Sequence, residues 1–307
     1  MITHLLIKEN RRTGTVSLRA FYLRRSLRVF PAFYVFAMVY IAGRLLQGMS
    51  LEWPQVVASL TYTRDYYQAF YHPLTNSMAH TWSLAVEEQF YLLWPFIFVH
   101  FRDRQQALMK ALAWTILLVW IYRAVLSGIG VHADYIYYAF DTNLDALAVG
   151  CLAALCIHNR VHLAFRSWTA GPALFLGVCL LHVAESSTKW GFDFHAVVVL
   201  ALLPVFFVFF MLHAVQFADH PVYYILNNPV ARYTGLISYS LYLYHPMVGN
   251  VFHYSHSWSK VIGEIAVCFA FASASYFVVE KPFLKLKNRI AGTVPARVVT
   301  PAPVIAS

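Results

Sequence analysis

With 307 residues, 60% of them hydrophobic and only 12% charged, the chain carries about half the charge of a soluble domain. The 17% aromatic content and mean hydropathy of +0.56 likewise exclude an ordinary water-soluble domain and point to lipid as the solvent. The formal charge of +9 is gathered near the two ends, at Lys8, Arg11, Arg12, Arg19, Arg24, Arg25 and Arg28 and at Lys281, Lys285, Lys287, Arg289 and Arg297; flanking apolar helices, such clusters read as cytoplasmic loops on anionic lipid, not as a nucleic-acid site.

In chain order, the first two dozen residues are polar and lack the apolar core of a cleavable signal peptide. Stretches near the roughly 20 apolar residues that a crossing needs then fall at 27–47, 81–101, 107–127, 137–158, 169–184, 195–216, 233–252 and 259–279. They predict an all-α, multi-pass bundle of about eight crossings, one membrane domain over 1–287 followed by a short, disordered cytoplasmic tail at 288–307. The stretch 54–70 is apolar but broken by Thr61, Thr63, Arg64 and Asp65, and reads as re-entrant or interfacial. With both termini cytoplasmic in a cell (inner) membrane, Arg102, Arg104, Arg160 and Arg166 fall inside. The opposite loops 128–136 and 253–258 hold no Lys or Arg, and 185–194 holds only Lys189. Cys151, Cys156, Cys179 and Cys268 all lie in apolar stretches without CxxC spacing, which fits packing rather than zinc or disulfides.

Four polar sites interrupt the apolar pattern. Arg25 and Arg28 are three apart, share a helix face at the membrane border, and suit either a phosphate-bearing ligand such as coenzyme A or topology and lipid contact. His80, Leu84, Glu87, Tyr91 and Trp94 share a face at helical spacing. Glu87 and Glu88 sit in an apolar helix, where a carboxylate costs about 2.5–3.5 kcal/mol. They therefore need a polar cavity or a partner such as Arg123, with Glu88 nearer the less desolvated side. Asp141 and Asp145 are four apart, with Asn143 beside them, as cavity-lining or paired groups. Ser238, Tyr242 and His245 form a polar stripe that fits a cavity wall, and His245 is either a base or a hydrogen-bonded packing group. His253 and His256 make only a weak HxxH metal signal, and no metal site is assigned.

The ordered set FYLRRSLRVFPAFY, HTWSLAVEEQFYLLWP, DTNLDALAVGCLAA, ISYSLYLYHP and VEKPF resembles the membrane acyltransferase 3 family, multi-pass O-acyltransferases of surface polysaccharides. The resemblance runs to about Lys287. It implies transfer of an acyl group, commonly acetyl, from acyl-coenzyme A as donor substrate to a glycan or glycolipid hydroxyl, with no permanently bound cofactor. It places Arg25 and Arg28 at the donor and matches the family's buried acid to Glu87. Family members usually begin with two further helices. The first carries a basic residue and a histidine that acts in catalysis; the second ends in a pattern like SGFLIT. This sequence opens as though at the end of that second helix. The resemblance therefore implies little transfer by this chain alone, with His245 and Glu87 as the substitute catalytic groups and His80, Tyr91, Asp141, Asp145, Ser238 and Tyr242 lining the cavity. The rival readings are a transporter or flippase of a glycan lipid or acyl group, which an inverted repeat would favour and none is evident, and a non-catalytic remnant.

Overall fold

The computed structural model describes residues 2–71, 78–159, 169–187, 195–217, 220, 224–252 and 258–293. The basic loop of Arg160 and Arg166, Lys189, the His253/His256 pair and residues 294–307 lie outside the described residues.

Helix α1 (Ile2–Thr13) ends where Gly14 takes φ +70, donating its N–H to the Asn10 carbonyl at 2.8 Å. A left-handed residue closes a helix at least cost when it is glycine. Glu9 then clips the turn: one carboxylate oxygen accepts the Ser17 N–H at 3.0 Å, and the other accepts from Arg24 at 2.6 Å. Ser17 caps α2 (Leu18–Leu46), its hydroxyl accepting the Ala20 N–H. The helix thus begins at Leu18, well before the expected 27, because this cap and clip order the polar first turns.

Residues 54–70 form α3 (Trp53–Leu60) and α4 (Arg64–Tyr71), eight residues each. They join at Tyr62, which has φ +55. Neither is long enough to cross a bilayer. This elbow is pinned to α5 (Thr81–His100): Thr81 donates to Ser59 at 3.0 Å, and the Gln89 amide donates to the Tyr62 carbonyl and to Asp65, both at 2.9 Å.

Then follow α6 (Gln105–Gly128), the short α7 (Ala133–Tyr138), α8 (Phe140–His158), α9 (Ala170–Ser187), α10 (Leu200–Gln216) with a π-helical turn before it, α11 (Pro229–Phe252) and α12 (Trp258–Ser275). A second π-helical turn, Tyr276–Glu280, leads into α13 (Lys281–Thr293). That last helix runs past 287 and folds back onto α2. Helix α6 lies along α8, α11 along α12, and α9 against α10.

The apolar stripes face outward as well as inward. On α6, Leu108, Leu112, Ile116, Val119, Arg123 and Leu126 are buried. Trp114, Leu118, Ile121 and Val125, by contrast, are all more than half exposed. A soluble protein does not present such a belt of large apolar residues, whereas a bilayer rewards it. Among the described residues five helical stretches are long and apolar enough to span: Leu18–Leu46, Gln105–Gly128, Ala133–His158, Val197–Gln216 and Trp258–Lys287. The cysteines are free thiols, with Cys151 and Cys268 buried.

Candidate active site within the helical bundle

Two polar clusters lie on α5, one at each end of the stripe His80, Ser83, Glu87 and Tyr91. The stripe spans about 16 Å at the rise of an α-helix. It differs from the expected face, because Leu84 and Trp94 are buried in the two apolar cores instead.

The first cluster joins α2, α5 and α11. The Tyr242 hydroxyl lies 2.8 Å from the Ser83 hydroxyl and donates to the His80 carbonyl. The His80 ring sits 5.3 Å from the Tyr242 ring, 5.7 Å from the His245 ring and 5.6 Å edge-on to Phe36. Both His80 nitrogens are enclosed without a partner at hydrogen-bond geometry. His245 is exposed, and its Nδ1 is 2.8 Å from the Tyr242 carbonyl. A carbonyl only accepts, so Nδ1 carries the proton and neutral His245 keeps its lone pair on Nε2. This is the tautomer a proton acceptor needs.

The second cluster lies toward the basic end. Arg25 binds Glu88 through both Nε, at 3.1 Å, and Nη2. Its guanidinium also stacks 3.5 Å over the Tyr91 ring. The Tyr91 hydroxyl in turn donates to Glu87 at 3.3 Å. Arg25 is therefore occupied within the protein, whereas Arg28 is exposed and lies within electrostatic reach of Glu280 and Lys287. The order of the two acids reverses the expected one: Glu88 is the enclosed, paired carboxylate and Glu87 is the exposed one. The partner is Arg25 rather than Arg123: α2 meets α5 here, where the Tyr22 hydroxyl also donates to the Leu92 carbonyl at 2.6 Å, and Arg123 is held by Asp145 instead.

Residues 1–279 match the family described as "Acyltransferase domain". The chain belongs to this acyltransferase family. It is 27% identical over 93% of its length to a Staphylococcus aureus (strain COL) protein described as a candidate O-acetyltransferase, covering 50% of that protein. It is 24% identical over 93% of its length to the peptidoglycan O-acetyltransferase of Listeria monocytogenes serovar 1/2a, covering 49% of it. A Bacillus subtilis (strain 168) protein described as a candidate peptidoglycan O-acetyltransferase is 26% identical over 92% of the chain and 48% of the relative. The chain thus spans about half the length of the curated relatives it matches. No solved structure matches it.

Within the acyltransferase fold the remaining expected residues scatter. Asp141 does not share a cavity with Asp145: it accepts from the hydroxyls of Tyr66, at 3.1 Å, and Tyr135, at 2.9 Å. Asp145 is 1% exposed and held by Arg123 and Trp120. Asn143 bonds the Tyr137 and Ala139 carbonyls at the start of α8. Ser238 is exposed and donates to its own helix at Gly235, so it does not line the cluster with Tyr242. Four residues of α-helix overshoot a full turn by about 40°, so Ser238 stands off the line of Tyr242 on α11. Two residues on, the same helix supplies a different group: Ser240 is buried, donates to Glu280, and lies 2.9 Å from the Ser275 hydroxyl. The acid of VEKPF was the sequence signal for that contact.

The α3–α4 elbow is a polar core that the sequence pattern shows only as a break in an apolar stretch. Arg64 is 0% exposed and donates to Gln55 at 2.9 Å, while its Nε and Nη1 have no partner. Burial pulls its guanidinium down to about 10, still cationic at neutral pH, and pushes the Asp65 carboxyl up to about 6 against hydrogen bonds from Tyr66 and Gln89. An adjacent charge pair inside an apolar stretch was the available signal.

Proposed function

We propose that the chain forms the acyl-transferring membrane part of an O-acyltransferase, moving an acetyl group from acetyl-coenzyme A to a hydroxyl of a cell-surface glycan or glycolipid. The observation that carries this reading is the His80–Ser83–Tyr242–His245 cluster, on the same face of α5 as Glu87 and Tyr91, in a chain of the acyltransferase family. A sugar hydroxyl is a weak nucleophile and needs a positioned base. His245 is the base in this reading: its Nε2 lone pair is free and accessible, and its hydrogen bond to the Tyr242 carbonyl fixes the ring. His80, edge-on to that ring, and Tyr242 are positioning residues. Glu87 and Tyr91 line the polar stripe between the two clusters. Asp141 and Asp145 lie outside both clusters and tie α8 to α4, α7 and α6.

At the other end Arg28 is the donor-phosphate ligand, and Arg25 fixes the helix that presents it. Arg28→Ala is expected to weaken acetyl-coenzyme A binding by roughly tenfold or more, the size of a lost charge-assisted hydrogen bond. Arg28→Lys recovers part of it, because an ammonium makes no fork. Arg25→Ala instead lowers the unfolding temperature by orphaning Glu88. Equilibrium donor binding and thermal unfolding of the chain in nanodiscs check both, and unchanged affinity in Arg28→Ala would leave that arginine a topology signal only.

The same reading places eight crossings in the cell (inner) membrane, the five apolar spans joined by Thr81–His100, Ala170–Ser187 and Pro229–Phe252, with both termini cytoplasmic. Arg102 and Arg104 at the end of α5 and the basic ends of α1, α2 and α13 support this orientation. Single cysteines placed at 102–106 are expected to react with an impermeant thiol reagent from the cytoplasmic side alone. Labelling from outside overturns the topology.

A further inference from the structure

A groove of about 590 Å³ opens between α1, α8 and α10, lined by no residue of either cluster on α5. Its mouth is basic: His4, Lys8 and Arg11 on one face of α1 meet His158 at the end of α8, which lies within electrostatic reach of Arg11 and His4. No acidic residue lines it, and Glu9, the one acid of α1, is turned away onto Ser17 and Arg24. Below the mouth the walls are Gly150, Ala153, Ala154, Val208, Met211 and Leu212, none with a hydrogen-bonding side chain. Ile157 and Met211 on its rim are both more than half exposed, so the groove is open on the side where the apolar belt meets lipid. A Cβ added at Gly150 meets nothing within 4 Å, so space there is unfilled.

We propose that this groove binds one anionic phospholipid, its phosphate at Lys8 and Arg11 and an acyl chain against the small residues of α8. Two cations, Lys8 and Arg11, without an acid beside them call for an anion, and basic pockets between helices at a membrane border suit phosphate headgroups. The dry walls decide the rest of the ligand. The pantetheine arm of coenzyme A carries amides that would be buried there without partners, at a cost an acyl chain does not incur. Gly150, Ala153 and Ala154, at helical spacing, let that chain lie close to the helix backbone. The inference does not depend on the transferase reading, since none of its residues belongs to the clusters on α5.

The test is native mass spectrometry of the full chain released from nanodiscs of equal parts phosphatidylglycerol and phosphatidylcholine. One retained phosphatidylglycerol per chain is expected, displaced neither by inorganic phosphate nor by acetyl-coenzyme A. Lys8→Gln combined with Arg11→Gln, both exposed positions, should weaken retention about 30-fold, the loss expected for two basic contacts at a lipid surface. Gly150→Leu, which fills the groove, should remove retention while leaving the unfolding temperature unchanged. Equal retention of phosphatidylcholine, displacement by acetyl-coenzyme A or phosphate, or retention undiminished in the double variant would overturn the proposal.

Discussion

Replacing Asp145 with Ala is expected to destabilise the protein by about 3–5 kcal/mol, the cost of leaving a buried charge without its partner. Arg123 and Asp145 are each 1% exposed. The Asp145 carboxylate accepts from both terminal nitrogens of Arg123, from Nη1 at 3.2 Å, and from the Trp120 indole at 2.9 Å. Arg123 also donates to the Thr142 carbonyl at 2.9 Å. No water reaches this point to solvate a guanidinium whose acid is gone, and its Nε already lacks a partner. The pair joins α6 to α8, which pack along one another, so its loss loosens that contact beside the apolar core that holds Trp120 and Ala148. Arg123→Ala should cost a similar amount. The combination Arg123→Met with Asp145→Leu should recover most of the loss, because a packed apolar pair replaces a buried ion pair at little cost. Thermal and denaturant unfolding in one detergent check all three. A double variant as unstable as either single would show that shape, and not charge, holds the two helices together.

The second large effect concerns transfer. His245→Ala is expected to lower acetyl transfer about 10²–10⁴-fold, the usual contribution of a general base. The measurement follows labelled acetyl from acetyl-coenzyme A to a glycan acceptor in nanodiscs. It is made on the 307-residue chain. The loss should fall on kcat, with donor affinity unchanged, because the arginines sit at the opposite end of the α5 stripe. Tyr242→Phe should give a smaller loss: it removes the hydroxyl that ties Ser83 to the His80 carbonyl, but keeps the ring and the backbone carbonyl that His245 binds. Full kcat retained with His245→Ala would place the base outside these residues and return His245 to a packing role.

What the amino-acid order determined by itself was the class and the family. Runs of apolar residues, basic ends and a shortage of charge suffice for an all-helical membrane chain, because a helix satisfies its own backbone and lipid asks only for apolar side chains. The motifs from Phe21 to Phe283 carried the acyltransferase resemblance, since each is a local string. The grouping of His80 with Tyr242 and His245 was half legible: each lay on a polar helix face, but nothing local says which faces meet. Only the tertiary structure decided the partners. It gave Glu88 to Arg25 and Asp145 to Arg123, turned Ser238 outward and Ser240 inward onto Glu280, and enclosed Arg64 in the α3–α4 elbow. These choices depend on which helices run side by side and on their rotation about their axes. Periodicity of 3.6 residues defines a face, but the neighbour that face meets lies tens to hundreds of residues away in the chain, as Ser83 and Tyr242 do, so no window of sequence contains both halves of the contact.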